Sequence, residues 1–309
     1  MRFGGFELHS LSDGFFGLDG GAMFGVVPKP VWERTNPADT RNRIRLAARS
    51  LLVVAGPDRI LIDTGIGDRW DEKARELYRI EQPDTVESSL AHIGFTPDDI
   101  TKVVLTHLHF DHAGGTTRFA GLGHNPNSSA ELGYVPRLAV PRFPNARHYV
   151  QMKEWEAALT PNRRSRASYR AEDFLPVKDA GLLELVNGDW RLDLTARDTT
   201  RNVGHFGHVP SLELVLTGGH TPGHQIVMLR SGDQTAIYWG DLVPTRSHIA
   251  IPYIMGYDLS PLETMEQKEK LVQQAIAGKW LSFLEHDPDF ACGVIEEENG
   301  RPFLRPLAE

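Results

Sequence analysis

The chain has 309 residues, of which 40% are hydrophobic, so it is long enough to bury a substantial core. Its formal charge of −8 argues against a basic surface for nucleic-acid phosphates, and its single cysteine, Cys292, excludes an internal disulfide. No segment approaches the roughly 20 apolar residues of a membrane helix, and the N-terminal residues lack the apolar run of a signal peptide. We therefore expect a cytoplasmic protein without nucleic-acid or membrane partners.

The N-terminal part begins irregularly and continues into regular strands. Residues 1–45 are rich in glycine and aromatic residues and show no clean hydrophobic period, so we predict a loop-rich extension. The β-prone runs 51–54 and 59–62 flank a Gly-Pro-Asp turn, which predicts a hairpin. The second strand of this hairpin ends in an Asp-Thr-Gly sequence at 63–65.

A helix and a short buried strand are predicted next. Residues 85–93 place apolar side chains on one helical face, with Asp84 and Glu87 as the predicted capping pair. Residues 102–105 form a short apolar run that continues directly into a histidine-rich segment. The run therefore predicts a buried strand that delivers these histidines to its end.

The region 113–210 is predicted to be rich in insertions. Residues 113–147 are crowded with Gly, Pro, Asn and Ser and are predicted to be loop, before a strand at 148–150 and a helix that opens at Lys153. The segment 161–180 is expected to be an exposed excursion. It carries four arginines, Arg163, Arg164, Arg166 and Arg170. We interpret these arginines as a solvated face, with a lid over an anionic substrate as the alternative.

The C-terminal half combines several strands with one long helix. Strands are predicted at 182–186, 212–217, 225–230, 235–239 and 279–284. Ser260 and Pro261 favour a helix start, Gly278 favours its end, and an Asn-Gly pair at 299–300 predicts a final hairpin. The apolar stripe that we expect this helix to bury consists of Leu262, Met265, Val272 and Ile276.

These elements favour an α/β fold in which two mixed β-sheets are flanked by helices. Hairpins and interspersed helices occur in both halves, in place of a regular βαβ alternation. No internal repeat or linker divides the chain. We therefore predict a single domain over residues 1–309, with the extension 1–45 and the insertion-rich region 113–210 as parts of it.

The segment from Thr106 to His112, Thr-His-Leu-His-Phe-Asp-His, holds four candidate metal ligands directly after a predicted strand. In an extended backbone His107 and His109 point to the same side, because side chains alternate with a period of two. Asp111 and His112 follow at the strand exit, where a turn would bring them towards a second metal. Imidazoles with one or two carboxylates are the donor set that zinc favours, with iron and manganese as alternatives.

Three further candidate ligands follow later predicted strands; they are His220, Asp241 and His286. A lone histidine is more often structural than ligating, but an ordered set at strand ends favours a metal site. We interpret His224, in the same turn as His220, as a residue that supports the ligands, with plain packing as the alternative. His205 and His208 are interpreted as exposed loop residues.

The order of these motifs resembles the metallo-β-lactamase superfamily. The sequence HxHxDH, then a histidine in Gly-His-Thr-Pro-Gly-His, then Gly-Asp and a late histidine follow that family's order over about residues 45–290. The Asp-Thr-Gly at 63–65 is similar to the family's early strand-end motif. The resemblance implies an αββα sandwich of two mixed sheets flanked by helices, and two divalent metal ions, Zn²⁺ ahead of Fe or Mn.

The resemblance also implies how the ligands divide between the two ions. One ion would be held by His107, His109 and His220, and the other by Asp111, His112 and His286. Asp241 would bridge the two ions. A hydroxide shared between them would be the nucleophile, because bound zinc lowers the pKa of water towards neutrality. Asp111 and Asp241 are accordingly the expected catalytic carboxylates.

Within the superfamily the pattern resembles the N-acyl-homoserine lactonases and methyl-parathion-hydrolase-like esterases. Asp241 argues against a true β-lactamase, which lacks a bridging aspartate there, and no basic tail after His286 resembles that of glyoxalase II. The resemblance therefore implies cleavage of a lactone or carboxylic ester, with phosphotriesters as further substrates. Lactonases typically carry a tyrosine shortly after the bridging aspartate. The nearest one here is Tyr253, which we expect to donate a hydrogen bond to the developing oxyanion.

Three alternatives stay open at this point. A persulfide-dioxygenase-like enzyme would bind one iron and leave Asp111 and His112 free of metal. A glyoxalase-II-like thioesterase shares all the ligands. A binding protein would keep the metal site to hold an effector without turnover. The expected partner is a small-molecule ester or lactone, and a homodimer is one assembly that the sequence leaves open.

Overall fold

The computed structural model describes residues 1–120, 138–194 and 210–307. Its strands are β1 (Arg2–Phe3), β2 (Phe6–Asp19), β3 (Arg43–Ala55), β4 (Asp58–Ile62), β5 (Lys102–Val104), β6 (Thr117–Phe119), β7 (Ala139–Pro141), β8 (Arg147–Gln151), β9 (Leu183–Val186), β10 (Trp190–Asp193), β11 (Ser211–Leu216), β12 (Gln225–Ser231), β13 (Gln234–Tyr238), β14 (Leu281–Phe283), β15 (Cys292–Glu298) and β16 (Arg301–Pro306). Its α-helices are α1 (Gly20–Phe24), α2 (Lys29–Trp32), α3 (Glu72–Leu77), α4 (Val86–His92), α5 (Phe110–Ala113), α6 (Met152–Leu159), α7 (Ala171–Asp179) and α8 (Pro261–Gly278).

The described strands form two large mixed sheets. The first has the order β1-β2-β3-β4-β5-β8-β9 and the second has the order β10-β11-β12-β13-β14-β15-β16, while β6 and β7 pair separately. In the first sheet β4, β5, β8 and β9 run parallel to one another, and in the second sheet β13 runs parallel to β14. Parallel neighbours end at the same edge of a sheet, so segments that are distant in sequence leave the sheets side by side.

The two sheets pack face to face, and helices cover their outer faces. One apolar cluster between the sheets joins Leu8 and Leu51 of the first sheet to Val227 and Tyr238 of the second. A second cluster packs α4, α6 and α7 against the outer face of the first sheet, and a third packs α8 against the second sheet. This arrangement confirms the predicted αββα sandwich of two mixed β-sheets flanked by helices.

Most predicted elements are found within two residues of their expected ends. The predicted hairpin is β3–β4, although β3 begins earlier, at Arg43. The final hairpin is β15–β16, which pairs Glu298 with Arg301 across the Asn-Gly turn. The long helix α8 begins at Pro261 and ends at Gly278, as its sequence predicted.

The prediction that residues 1–45 form a loop-rich extension was wrong. Residues 6–19 form the long strand β2, which pairs antiparallel with β3 along most of its length. A register shift between Ser12 and Phe15 interrupts this pairing. The extra residues of such a bulge break the alternation of buried and exposed side chains, which explains why the sequence shows no clean period.

Two segments of the insertion-rich region contain more regular structure than predicted. Strands β6 and β7 pair within the predicted loop 113–147, of which residues 121–137 lie outside the described part of the chain. Helix α7 occupies the second half of the predicted excursion 161–180 and buries Phe174 and Val177. Gly, Pro and Arg composition marked both segments as irregular, but their apolar side chains pack on the sandwich.

Two local details of the helices also differ from the predictions. Thr85 and Ser88 form the capping box of α4, whereas Glu87 turns away to pair with Arg142. The buried face of α8 consists of Thr264, Lys268, Leu271, Val272 and Ala275. Leu262, which was expected on that face, is 80% exposed.

No helix in the described ranges is long and apolar enough to cross a membrane. The single domain over residues 1–309 and the cytoplasmic location stay predictions.

Candidate metal centre

The seven predicted ligands lie together in one buried site, and each follows a strand. They are His107, His109, Asp111, His112, His220, Asp241 and His286. The first four lie in the segment that follows β5. His107 and His109 precede the short helix α5, and Asp111 and His112 lie in it, just before Gly114 and Gly115. A side chain at either glycine would collide with the backbone of residues 64–66. Only glycine lets α5 approach the exit of β4 so closely.

Four of the side chains form a first group, His107, His109, His220 and Asp241, whose candidate ligand atoms all lie within 4.8 Å of one another. Nε2 of His220 lies 3.1 Å from Nδ1 of His109 and 3.0 Å from Oδ2 of Asp241. Nε2 of His107 lies 3.7 Å from the same carboxylate oxygen. Three imidazoles and one carboxylate oxygen therefore face a common point, as in a tetrahedral zinc site.

Asp111, His112 and His286 form a second group of the same kind. Nε2 of His286 lies 3.2 Å from Nε2 of His112 and 3.6 Å from Oδ2 of Asp111. Oδ1 of Asp241, the oxygen that faces away from the first group, lies 3.3 Å from His286 and 3.5 Å from His112. The Asp241 carboxylate therefore lies between the two groups, with one oxygen directed to each.

The side chains of the site fit divalent cations. Nε2 of His107 and Oδ1 of Asp241 are buried and have no hydrogen-bond partner among the described residues. Burial and the neighbouring imidazoles lower the pKa of His107 and of His109, so these rings stay neutral and present lone pairs. Burial alone would raise the pKa of Asp241, but His112 and His220 lower it well below its usual value. An ionised carboxylate among neutral imidazoles is a donor set for Zn²⁺.

His112 is oriented on the side away from the centre by a hydrogen bond with Asp63, and the Glu285 carboxylate lies beside the same ring nitrogen. Its Nδ1 lies 3.0 Å from Oδ2 of Asp63 and 2.9 Å from Oε2 of Glu285. Asp63 is itself held by the backbone N–H and the hydroxyl of Thr106, each at 2.7 Å. In the sequence Asp63 stands out only as part of the Asp-Thr-Gly motif, and no motif marks Glu285. These contacts fix the ring so that Nε2 points to the metal centre.

His220 and His286 are oriented in the same way. Nδ1 of His220 lies 2.9 Å from Oδ1 of Asp258, and Nδ1 of His286 lies 2.8 Å from the backbone oxygen of Ala47. Burial lowers the pKa of His220, but Asp241 and Asp258 outweigh that effect and raise the pKa to about 10. The carboxylates around these rings therefore favour positive charge at the centre, which a divalent cation supplies.

Glu154 on α6 connects the segments that carry the first group of ligands. Its fully buried carboxylate accepts hydrogen bonds from the backbone N–H of Leu108 at 3.0 Å, the Tyr169 hydroxyl at 3.0 Å and the Thr221 hydroxyl at 2.5 Å. Leu108 lies between two ligands, and Thr221 follows a third. The Tyr169 ring packs edge-on against His109, with 4.8 Å between ring centroids. No sequence motif marked Glu154.

His224 supports the site, in agreement with one of its two interpretations. Its Nε2 accepts a hydrogen bond from the backbone N–H of Asp241 at 3.1 Å, and its Nδ1 lies 2.6 Å from the Thr217 hydroxyl. Burial and the nearby His220 lower the pKa of His224, so the ring remains a neutral acceptor. His205 and His208 lie outside the described residues.

A cleft that is open to solvent at its mouth lies over the two groups of ligands. Its walls are formed by Leu18, Met23, Tyr78, Phe110, Ala167, Ser168, Met255 and Tyr257, and its floor by His109, Asp111, His220, Asp241 and His286. None of the described residues that line it is a lysine or an arginine. The largely apolar walls of the cleft are typical of a small-molecule site.

Tyr257 lines this cleft, whereas Tyr253 does not. Tyr253 lies four residues earlier and packs edge-on against Phe24, with 6.0 Å between ring centroids, in the apolar cluster of the N-terminal segment. Of the two tyrosines, Tyr257 is therefore the one on the cleft wall, and the role of Tyr253 stays a prediction. Burial and then the charge of Asp111 raise the pKa of Tyr257, so its hydroxyl stays protonated at neutral pH.

The four arginines of the 161–180 segment do not line the cleft. Arg170 stacks over Trp70 and donates a hydrogen bond to the backbone oxygen of Arg69. Arg164 donates to backbone oxygens of a second segment of the cleft wall. The side chains of Arg163 and Arg166 are exposed, as the interpretation of a solvated face predicted.

Comparisons with known proteins agree with this geometry. The family profile described as Metallo-beta-lactamase superfamily matches residues 44–278. The N-acyl homoserine lactonase AttM of Agrobacterium fabrum is 29% identical over 198 residues, which cover 64% of this chain and 62% of AttM. The matched region thus spans less than two thirds of that relative.

Two solved structures share the fold. A probable metal-dependent hydrolase from Staphylococcus aureus superposes over 100% of both chains, with a TM-score of 0.80 and 28% identity. The dizinc quorum-quenching lactonase AidC, in complex with the product N-hexanoyl-L-homoserine, superposes over 100% of this chain and 97% of its own, with a TM-score of 0.72 and 20% identity.

Proposed function

Because the chain belongs to the metallo-β-lactamase superfamily, we propose that it is a metal-dependent hydrolase that uses two divalent ions to cleave a lactone or a carboxylic ester. The observation that carries the proposal is the position of Asp241. One of its oxygens lies 3.0 Å from Nε2 of His220 and the other 3.3 Å from Nε2 of His286. A carboxylate placed in this way serves two cations.

Zn²⁺ is the ion that we propose for both positions, since five imidazoles and two carboxylates form the donor set. His107, His109 and His220 would hold one ion, Asp111, His112 and His286 the other, and Asp241 would bridge them. Bound zinc would lower the pKa of a water molecule held at the centre and polarise the carbonyl group of the substrate. The closeness of Asp111 and His112 to His286 disfavours the single-iron alternative, in which both residues would have no ligand role.

The protein supplies a hydrogen-bond donor on the cleft wall. We assign to Tyr257 the role that the sequence analysis gave to Tyr253. Because its pKa is raised by burial and by Asp111, Tyr257 keeps its proton at neutral pH. It is then a donor to the carbonyl oxygen of the substrate as negative charge develops there.

The walls of the cleft favour an uncharged substrate. Met23, Met255 and Phe110 present apolar surface, and the only charged groups of the described lining are the two carboxylates of the floor and histidines among the ligands. An anionic carboxylate or phosphodiester would find no lysine or arginine in this lining to pair with, so only the metal ions would attract its charge. This supports neutral esters and lactones over penicillins and nucleic acids.

The relatives support the same class of reaction. AttM is named as an N-acyl homoserine lactonase, and AidC is described as a dizinc lactonase with a lactone-derived product bound. Transfer of these properties to this chain is part of the proposal.

The experiment that tests the proposal combines metal analysis with a substrate panel. The protein is stripped with a chelator, reloaded with Zn²⁺ and assayed on neutral aryl esters, lactones, a thioester, a phosphotriester, a phosphodiester and a penicillin. We expect two zinc ions per chain and the highest kcat/KM on esters or lactones. One iron per chain with oxygen consumption on a persulfide, or faster cleavage of the penicillin or the phosphodiester, would overturn it.

A further inference from the structure

Arg164 connects two segments of the chain that both line the cleft. Its guanidinium donates hydrogen bonds to the backbone oxygens of Gly256 and of Asp258, the latter at 3.3 Å. Ala167 and Ser168, three and four residues beyond Arg164, form part of one cleft wall. These bonds therefore join the 162–168 segment to a second segment of the cleft wall.

The second segment of the cleft wall is 255–260, which contributes Met255 and Tyr257 to the cleft. Two residues of this segment, Asp258 and Leu259, contact the candidate ligand His220. Oδ1 of Asp258 lies 2.9 Å from Nδ1 of His220, and the N–H of Leu259 donates to the backbone oxygen of His220 at 3.2 Å. These contacts do not involve Arg164, so the segment stays attached to His220 when the arginine is removed.

Arg164 binds two backbone oxygens of this wall, while the N–H of Gly256 donates to the backbone oxygen of Ala22 at 2.7 Å. Asn162 fixes the backbone at Arg164. Its side-chain oxygen accepts hydrogen bonds from the backbone N–H groups of Arg164 and Ser165 at 2.8 and 3.0 Å. A guanidinium suits the position because it carries several donors in a rigid plane and can reach two carbonyls at once. Arg163 and Arg166 make no side-chain hydrogen bond or ion pair with any residue that the structure describes.

We propose that Arg164 is a positioning residue that latches these two segments of the cleft wall together and sets the size of the acyl group that the cleft accepts. The proposal rests on the hydrolase function proposed above. With the latch closed, Tyr257 and Met255 are held against Ala167 and Ser168. With the latch removed, the wall at Met255 and Tyr257 moves while the metal centre keeps its ligands.

The test compares Arg164→Met with Arg163→Met and Arg166→Met, which remove the same charge from the same segment. Hydrogen exchange of the backbone amides over 255–258 should be about tenfold faster in Arg164→Met and unchanged in the two controls. KM for an aryl ester with a long acyl chain should rise by about three- to tenfold in Arg164→Met alone, while KM for the acetate ester and the zinc content stay close to those of the wild type.

Equal shifts in all three variants would mean that the charge acts, and would overturn the latch. Unchanged exchange over 255–258 in Arg164→Met would also overturn it. Hydrogen exchange needs no substrate, so the latch is judged even if wild-type protein cleaves no ester. In that case the proposed hydrolase function fails separately.

Discussion

Oδ2 of Asp241 lies 3.0 Å from Nε2 of His220, and no other carboxylate in the described ranges reaches both groups of candidate ligands. Asp241 follows β13, and His220 follows β11. The turn between β11 and β12 also carries His224, whose ring accepts a hydrogen bond from the backbone N–H of Asp241. The relation between the two groups therefore depends on one side chain, whose position is set by its own backbone hydrogen bond.

Asp241→Asn is expected to release one of the two zinc ions. The amide has the same shape, but it is neutral and offers a ligand oxygen to one group only. We expect turnover on the best ester to fall by about 100-fold or more, because both ions must be held at a fixed separation. Elemental analysis and steady-state kinetics on the same preparation measure both effects.

Asp289→Asn is the control for this change. Asp289 pairs with Arg246 at the surface, three residues after the ligand His286. This variant should keep both metals and full turnover. If Asp241→Asn also retains two zinc ions and wild-type turnover, Asp241 does not bridge them.

Tyr257→Phe is expected to lower kcat more than it changes KM. The variant removes only the hydroxyl that would stabilise the oxyanion, and such donors account for roughly 100-fold in rate. Tyr253→Phe should leave kcat close to that of the wild type, because Tyr253 packs in the apolar cluster beside Phe24. If instead the Tyr253 variant is the slow one, the original sequence-based assignment is right.

Glu154→Ala is expected to weaken zinc binding by His107, His109 and His220. Removal of the carboxylate leaves the Leu108 N–H and the Thr221 hydroxyl without their acceptor, and outer contacts of this kind contribute about 10- to 100-fold to metal affinity. Competition with a chelator measures the affinity, and the visible spectrum of Co²⁺-loaded protein reports the ligand geometry.

Asp173→Ala is the matched control for Glu154, because Asp173 is also a fully buried carboxylate on a neighbouring helix and pairs with Arg69. This variant should lose stability and keep its metal affinity. Equal losses of affinity in both variants would show that Glu154 acts only through general stability.

Lys268 is expected to make stability depend on pH in the alkaline range. Its amine is buried on α8 and donates to the backbone oxygens of Ala250 and Tyr253 at 3.2 and 2.6 Å. Burial lowers the pKa of Lys268 from 10.5 to about 7, with Asp258 opposing the shift. Between these values the folded protein has released a proton that the unfolded chain still binds, so the free energy of unfolding rises with pH.

The measurement is the difference in free energy of unfolding between wild type and Lys268→Met, taken by urea titration from pH 6.5 to 9.5. Other titrating groups are shared by the two proteins and cancel in the difference. The difference should move in favour of the wild type as the pH rises. A flat difference over this range would mean that Lys268 has an ordinary pKa in the folded state.

The sequence alone determined those elements whose pattern of residue types lies within a short stretch of the chain. The short strand β5 and the ligands after it lie within eleven residues, from Lys102 to His112, so alternation and ligand type were readable together. The remaining ligands were recognisable because each follows an apolar run. The resemblance to a known family added their division into two groups, and the structure brings the same groups together.

Only the tertiary structure decided the contacts that hold those ligands. Glu154 is 46 residues from Leu108 and 67 from Thr221, and Asp258 is 38 residues from His220. Each is an ordinary polar residue in its own segment. Its role appears only when the fold brings distant segments together and removes water from between them, since the buried polar groups must then find partners.

The same reason separates Tyr253 from Tyr257. Both tyrosines lie in one loop of irregular backbone, where no period predicts which side chain faces inwards. The direction of Tyr257 is set by Asp258, which anchors the loop to His220, and by the carbonyls that accept from Arg164. Candidate ligands are recognised by residue type and spacing, both of which the sequence contains. The shape of the cleft depends on contacts between loops, and those exist only in the folded chain.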